Sequence, residues 1–167
     1  MSVEVRALRE RFWERFSLGE LNAREWEALC DGCGQCCLMR EVDEDRGEVI
    51  VYGVACELLD IGSSRCSDYS NRLRRVESCH KLTAENVPHY HWLPKTCAYR
   101  RVHKGKPLEP WHPLIAGDHH RMHQQRETVS SFALPAKDVS RRQMSRHVVD
   151  MWSIPVDTAK QRRRARK

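Results

Sequence analysis

The first stretch of the chain repeats apolar residues at the spacing of a helix. Apolar side chains separated by three or four positions recur here at Val5, Leu8, Phe12 and Phe16. Residues at these intervals share one face of an α-helix. The pattern therefore predicts an amphipathic helix over Val3–Phe16 whose apolar face packs into the core.

A second helix is predicted to begin at Asn22. Asparagine is a favoured N-cap residue, and Glu25 follows three positions later, where its carboxylate can reach back to the capping amide. Trp26 and Leu29 lie on the face predicted to point into the core. Cys30 comes next, so the first cysteine of the chain is expected at the end of a rigid element.

The rest of the pattern is a mixture of short segments. Glu48–Gly53 is rich in β-branched residues and ends in glycine, which favours a strand. We expect this strand to pair as a hairpin with the segment after Cys37. The other predicted elements are a short helix at Val54–Asp60, a helix from Thr96 to His103, a strand at Val129–Leu134 and a helix at Ala136–Trp152. Together they predict a mainly α fold with short β segments, in the α+β class.

Eight cysteines occupy the middle of the chain, and none lies outside positions 30–97. Four of them fall within Cys30-Asp31-Gly32-Cys33-Gly34-Gln35-Cys36-Cys37, which we call the cysteine loop. The other four are Cys56, Cys66, Cys79 and Cys97. Thiols clustered in this way indicate a disulfide framework, a zinc site, an iron–sulfur cluster or a redox-active thiol set.

The spacing inside the cysteine loop is that of metal ligands. Two residues between Cys30 and Cys33 allow a tight turn to aim both sulfurs at one ion, and the intervening glycines permit positive φ values. Cys36 and Cys37 are adjacent, and neighbouring side chains of an extended segment point to opposite faces. We therefore expect this pair to serve two centres or to span a polynuclear cluster. Eight thiols at four per site would make two centres.

Composition narrows the choice among these thiol chemistries. The chain of 167 residues is 40% hydrophobic and 31% charged, with a mean hydropathy of −0.70, so its apolar core is lean for a globular domain. Its N-terminal stretch has no apolar run typical of a secretory signal, and no run is long enough to cross a membrane. We expect a cytoplasmic protein without a membrane partner. Because cytoplasmic thiols stay reduced, the expected location argues against disulfides. Together with the lean core, it favours a small single domain stabilised by metal.

The excess of positive charge is concentrated in the last eight residues. Lys160–Lys167 carries six basic side chains and no acid, and without it the lysines and arginines would equal the 23 acidic residues. Runs of like charge are typical of solvated tails, and cationic runs attract nucleic acid by releasing counterions. We predict an N-terminal helix at 1–21, a metal-binding domain at 22–155 and a basic, disordered tail at 156–167. Weak nucleic-acid contact is expected through Lys160–Lys167.

Several motifs resemble those of a bacterial cysteine-cluster family. They are Cys30-x-x-Cys33-Gly34-x-Cys36-Cys37, then Cys56, then Cys66-Ser67-Asp68-Tyr69 with Arg72 and Cys79. These features resemble the wider YkgJ-like CxxCxxCC family, which is described as zinc- or iron-chelating. A closer resemblance, to YcgN-type proteins, extends from Glu25-Trp26 through Cys79-x-Lys81-Leu82 and Thr96-Cys97-Ala98-Tyr99-Arg100 to Trp111-His112-Pro113-Leu114. The resemblance implies metal chelation by the eight cysteines and implies no catalysed reaction.

The sequence leaves the metal and the biological role open. Thiolates suit both zinc and iron–sulfur clusters. The adjacent cysteine pair and the surplus of thiols favour iron–sulfur, with zinc as the alternative. An enzyme of redox or protein-methylase-like type is a second class of function, and a zinc-stabilised nucleic-acid-binding module is a third. The histidine pairs His89/His91 and His119/His123 have ligand-like spacings, for which surface histidines are the alternative.

Overall fold

Short helices and strands make up the structure, a computed structural model that describes residues 7–156 and Thr158. The helices are α1 Phe12–Arg15, α2 Ala23–Leu29, α3 Arg72–Arg75, α4 Ala98–His103, α5 Pro113–Ala116 and α6 His120–Gln124. The strands are β1 Leu38–Asp43, β2 Glu48–Ala55, β3 Leu59–Asp60, β4 Arg65–Cys66, β5 Leu134–Pro135 and β6 Val148–Ser153. This mixture confirms the predicted α+β class. In the described residues, every helix is too short or too polar to span a lipid bilayer.

The chain forms two compact units that divide inside the cysteine loop. The first unit takes the chain up to Cys33 together with Lys81–Glu127. The second unit takes Gly34–His80 together with the chain from Thr128 onward. Helices α1, α2 and α4–α6 therefore belong to the first unit, whereas α3 and all six strands belong to the second. The domain bounds predicted from the sequence stay a prediction, and the basic tail at 160–167 lies outside the described residues.

The core of the first unit is built from apolar side chains of α1, α2, α4 and the segments between them. Phe12, Leu29 and Leu93 are fully buried in it. The Tyr99 hydroxyl donates to the carbonyl of Trp26 at 2.7 Å, and the two rings pack with their centroids 4.6 Å apart. This contact joins α4 to α2, so the helices that carry two of the cysteines at their ends are held against one core.

Helix α2 begins with the predicted capping box. The Asn22 side chain accepts from the Glu25 amide at 3.1 Å, and the Glu25 carboxylate accepts from the Asn22 amide at 3.1 Å. Glu25 is fully buried, and Arg9 donates to it from its backbone amide at 3.0 Å and its guanidinium at 2.6 Å. The hydrogen bonds from Arg9 are the main reason that the pKa of Glu25 falls to about 2.

The prediction of a helix over Val3–Phe16 is wrong for most of the residues that the structure describes in this range. Helix α1 begins only at Phe12, and Arg11 before it has a left-handed φ of 47°. Arg9 lies outside the helix because its amide and guanidinium bind the buried carboxylate of Glu25. The long-range ion pair thus overrides the helical spacing of the apolar residues. Residues 3–6 of the predicted helix lie outside the described part of the chain.

Strand β2 is the centre of the second unit. It pairs antiparallel with β1 on one side, and on the other with β6 antiparallel and β5 parallel. Its buried residues include Val49 and Val54, which are fully shielded from solvent. The β1–β2 pairing confirms the predicted hairpin after Cys37. A second, two-stranded sheet joins β3 to β4.

Three other predicted elements are wrong, and strand pairing replaces helical structure in two of them. The predicted helix Val54–Asp60 is replaced by the end of β2 and by β3. The predicted strand Val129–Leu134 is a 3₁₀ turn that leads into β5. The predicted helix Ala136–Trp152 consists of 3₁₀ turns followed by β6. The helix predicted from Thr96 to His103 is confirmed, with Cys97 rather than Thr96 as its N-cap. Tertiary pairing decides such short β-branched segments.

The glycines of the cysteine loop give a test of local packing. Gly34 has φ +75°, and a Cβ added to it would lie 2.7 Å from Val129 Cγ2 and 3.1 Å from the Ser64 carbonyl. Gly34→Ala should lower the free energy of unfolding by roughly 2–4 kcal/mol, because overpacking adds to left-handed backbone strain. Gly32 has φ +74° but no described atom within 4 Å of such a Cβ, so Gly32→Ala should show the strain alone, about 1–2 kcal/mol. Equal losses in urea unfolding would contradict this account.

The buried Glu25 gives a test that depends on pH. Because its pKa is lowered from 4.5 to about 2 on folding, its contribution to stability is complete above pH 4.5 and disappears as the pH falls towards 2. Glu25→Gln should lower the free energy of unfolding by roughly 1.5–3 kcal/mol at neutral pH, and the difference from wild type should vanish over that acid range. Glu14→Gln, in the exposed pair with Arg11, is the control and should change the free energy of unfolding little at any pH, because exposed ion pairs contribute little. A difference for Glu25→Gln that persists at pH 2 would be incompatible with this role.

Candidate metal centre

The cysteines of the first unit lie on ordered backbone next to helix ends. Cys30 is the C-cap of α2, and Cys97 is the N-cap of α4. Cys33 closes the turn of the cysteine loop, where its amide donates to Asp31 Oδ1 at 3.0 Å. Cys30 is exposed, whereas Cys33 and Cys97 are half-buried. The first unit thus presents three thiols at fixed points of its backbone.

His112 fixes the backbone directly before Cys30. Its Nδ1 accepts from the Leu114 amide at 3.0 Å, so its proton is on Nε2, which donates to the Leu29 carbonyl at 2.9 Å. Burial lowers the pKa of His112 and keeps the ring neutral. With both nitrogens engaged, His112 positions the end of α2 and does not serve as a metal ligand here. The sequence analysis named this histidine only within the motif Trp111-His112-Pro113-Leu114, and nothing in the sequence indicated this contact.

Asp31 is a buried carboxylate inside the cysteine loop. Its side chain is 4% exposed, and Oδ1 accepts from the Cys33 amide. Oδ2 is buried and has no hydrogen-bond partner among the described residues. An unpaired buried carboxylate oxygen is rare in folded proteins. Sequence reasoning did not select Asp31, and its position between two cysteines was the one available signal.

The second unit contains five cysteines brought together by its sheets. Cys36 and Cys37 lie in a 3₁₀ turn that leads into β1. The Cys56 amide donates to the Cys37 carbonyl at 2.8 Å and so extends the β1–β2 hydrogen bonding. Cys66 lies in β4 opposite β3, and Cys79 follows α3, with its amide bonded to the turn before it. Except for the exposed Cys36, these thiols are half-buried.

The five thiols of the second unit interact at Cys37. A side-chain hydrogen bond with Cys36 holds the pKa of Cys37 below its ordinary value. Burial raises that pKa, as do the charges of the other three cysteines of the unit, Cys56, Cys66 and Cys79. The thiol of Cys37 is thus linked electrostatically to those of the other four cysteines of its unit. We call these five thiols together the five-thiol group.

This geometry corrects the expectation for the adjacent cysteines. The sequence analysis placed Cys36 and Cys37 in an extended segment with their side chains on opposite faces. The structure places them in a 3₁₀ turn, where the side chains hydrogen-bond to each other. In such a turn neighbouring side chains are not forced to opposite faces. The reason given for assigning this pair to two separate centres is therefore removed.

Arg40 is a cation beside the five-thiol group. Its guanidinium Nη1 donates to the carbonyls of Cys36 at 2.9 Å and Leu38 at 3.0 Å. Burial lowers the pKa of Arg40, whereas the charges of Cys36, Cys37 and Cys79 raise it. Next to Cys79, burial lowers the pKa of His80, and Arg40 lowers it further. Sequence reasoning missed Arg40, because nothing in its surroundings distinguishes it from a surface arginine.

The donor set fits a thiophilic metal by its chemistry. None of the eight cysteines forms a disulfide in the described residues, and thiolates are preferred ligands of zinc and of iron–sulfur clusters. Within residues 7–156, however, no three histidine, cysteine, aspartate or glutamate side chains converge as a ready-made metal site. Binding therefore requires these side chains to turn towards the metal, as in proteins whose sites form together with metal binding.

The two histidine pairs are less suited to a metal than their spacing indicated. His89 ends a 3₁₀ turn and His91 lies in the turn that follows, so the pair is not on a strand. His119 and His123 are exposed at the start and within α6. Neither pair contributes to a metal-ready group in the part of the chain that the structure describes.

The chain matches a known family model over residues 29–98. The model is named CxxCxxCC and is described as a "Putative zinc- or iron-chelating domain". The matched range contains all eight cysteines. No solved structure matches the chain.

Relatives match most of the chain. A UPF0260 protein from Serratia proteamaculans is 48% identical over 128 residues, which are 77% of this chain and 86% of the relative. A UPF0260 protein from Caulobacter sp. is 52% identical over 70% of this chain and 72% of its own length. The UPF0260 protein YcgN from Salmonella paratyphi A is 47% identical over 77% and 86%. These matches confirm the resemblance inferred from the motifs, and the chain therefore belongs to the UPF0260 family of YcgN-type proteins.

Proposed function

We propose that this protein binds a thiophilic metal through the thiolates of its cysteines. The proposed ligands are Cys30, Cys33, Cys36, Cys37, Cys56, Cys66, Cys79 and Cys97. The five-thiol group carries the proposal, because five thiols outside disulfides interact electrostatically around Cys37 in one unit. Thiolates at short separations repel one another, and a metal cation offsets that repulsion. The zinc- or iron-chelating description of the matching domain supports the same chemistry.

We propose an iron–sulfur cluster as the bound group and zinc as its alternative. A single zinc ion takes four ligands in tetrahedral geometry, and an iron–sulfur cluster also takes four thiolates, so the preference rests on the adjacent cysteines. A polynuclear cluster can accept the neighbouring thiolates of Cys36 and Cys37 on different irons. An iron–sulfur cluster supplies one-electron chemistry when bound, whereas zinc would contribute to folding stability. We propose a cytoplasmic location, because cysteines stay reduced there and remain able to bind metal.

Metal analysis of protein purified without oxygen tests the proposal. Iron and acid-labile sulfide should be present together with visible absorption, because thiolate-bound iron–sulfur clusters are coloured. Cys37→Ser should remove most of the bound iron, since this thiol interacts with the four others of its unit. Ser63→Ala, an exposed change in the same unit, is the control and should leave the metal content unchanged. Colourless protein with zinc alone would reject the cluster, and protein with neither metal would reject metal binding.

We propose a second, weaker interaction of the basic tail with nucleic acid. It rests on the six basic residues of Lys160–Lys167, a segment outside the described part of the chain. If all six contact phosphates, the logarithm of the affinity for single-stranded RNA should fall with the logarithm of the salt concentration at a slope of about −4. Removal of 160–167 should abolish this salt-dependent binding. Arg141→Gln with Arg142→Gln, two exposed changes in the body, is the control. Binding that survives the truncation would reject the tail as its source.

A further inference from the structure

Arg40 lies against the turn that carries Cys36 and Cys37. It lies three positions after Cys37 in the sequence, at the point of β1 where the register with β2 shifts between Leu38 and Arg40. A bulge of this kind re-aims the side chain that follows it. The side chain is half-buried, so its charge is less screened than that of a surface arginine.

Two hydrogen bonds hold the Arg40 guanidinium against the cysteine turn. Both are donated by Nη1, to the Cys36 carbonyl at 2.9 Å and to the Leu38 carbonyl at 3.0 Å. These carbonyls bracket Cys37 in the chain. The guanidinium thus fixes the backbone on both sides of the cysteine at which the five-thiol group interacts.

The chemistry of the centre explains why a cation is needed there. Four thiolates around one divalent ion leave a net charge of about −2, and burial of net charge is unfavourable unless an opposite charge is near. Arginine suits this position because its guanidinium stays charged when partly buried and offers several donors in a fixed plane. Burial lowers the pKa of Arg40 and the charges of Cys36, Cys37 and Cys79 raise it, in keeping with its hydrogen bonds to the carbonyls on both sides of Cys37.

We propose that Arg40 is a positioning residue of the metal centre, which holds the Cys36–Cys37 turn and offsets the charge of the metal-bound thiolates. The inference rests on the proposed metal-binding function and extends it beyond the ligands. Residues outside the ligand shell of a metal site change its affinity by 10- to 100-fold when they are mutated. Arg40 belongs to this class, and its positive charge is the property that counts most.

Titration of the reduced, metal-free full chain with Zn²⁺ and Co²⁺ against a competing chelator tests the inference. Arg40→Gln keeps an amide donor but removes the charge, and it should weaken binding about 10-fold or more. Arg40→Lys keeps the charge without the planar fork, and it should stay within about threefold of wild type if charge dominates. Arg46→Gln is the matched control, because Arg46 lies on the turn of the same hairpin with its side chain 80% exposed. Its affinity should equal that of wild type.

The outcomes separate this inference from the function on which it rests. Wild-type protein that binds neither ion, and that also contains no iron when purified without oxygen, would overturn the proposed function and the inference together. Metal binding by wild type with undiminished binding by a folded Arg40→Gln would overturn the inference alone. Equal losses in Arg40→Gln and Arg40→Lys would show that hydrogen-bond geometry alone is needed, and would overturn charge compensation. If circular dichroism shows that Arg40→Gln does not fold, Arg40→Lys decides: a 10-fold loss contradicts the charge role, and near-wild-type binding supports it.

Discussion

The hydrogen bond from the Cys56 amide to the Cys37 carbonyl, 2.8 Å long, is the backbone contact that joins two members of the five-thiol group. It continues the ladder in which Leu38 faces Ala55, so two cysteines far apart in the sequence become neighbours at the end of a hairpin. Because β2 is bonded on both sides, the pair cannot separate without breaking sheet structure. Sheet formation therefore gathers the thiols, and a metal would only have to turn side chains that are already close.

Buried polar contacts play the corresponding part in the first unit. Glu25 and His112 are each at most 1% exposed, and each lies on or against α2, the helix that leads into the cysteine loop. Glu25 holds the start of α2, and His112 holds the carbonyl at its end. Buried polar groups stabilise a structure only when their hydrogen bonds are made. The direction in which Cys30 leaves the helix is thus set by contacts that apolar packing alone would not specify.

Sequence patterns correctly predicted the structural elements that depend on residues close together in the chain. The capping box of Asn22 and Glu25, the hairpin after Cys37 and the helix carrying Cys97 all follow from short-range chemistry, and the structure has each of them. The same methods misplaced Ala136–Trp152, because pairing with β2 makes a strand of its end. They also missed Arg40 and His112, whose roles come from partners that folding brings near. Clustering of the cysteines predicted a metal-binding chemistry, but sequence spacing could not show which thiols interact.

The boundary between the two units falls between Cys33 and Gly34, in the middle of the motif by which the family is known. Different structural units of a protein can open with different free energies. The two halves of this motif would then have different opening free energies. Amide hydrogen exchange at its first half would follow the opening of the helical unit, and exchange at its second half the opening of the sheet unit. The motif is continuous in the sequence, but in the folded chain its two halves belong to different units.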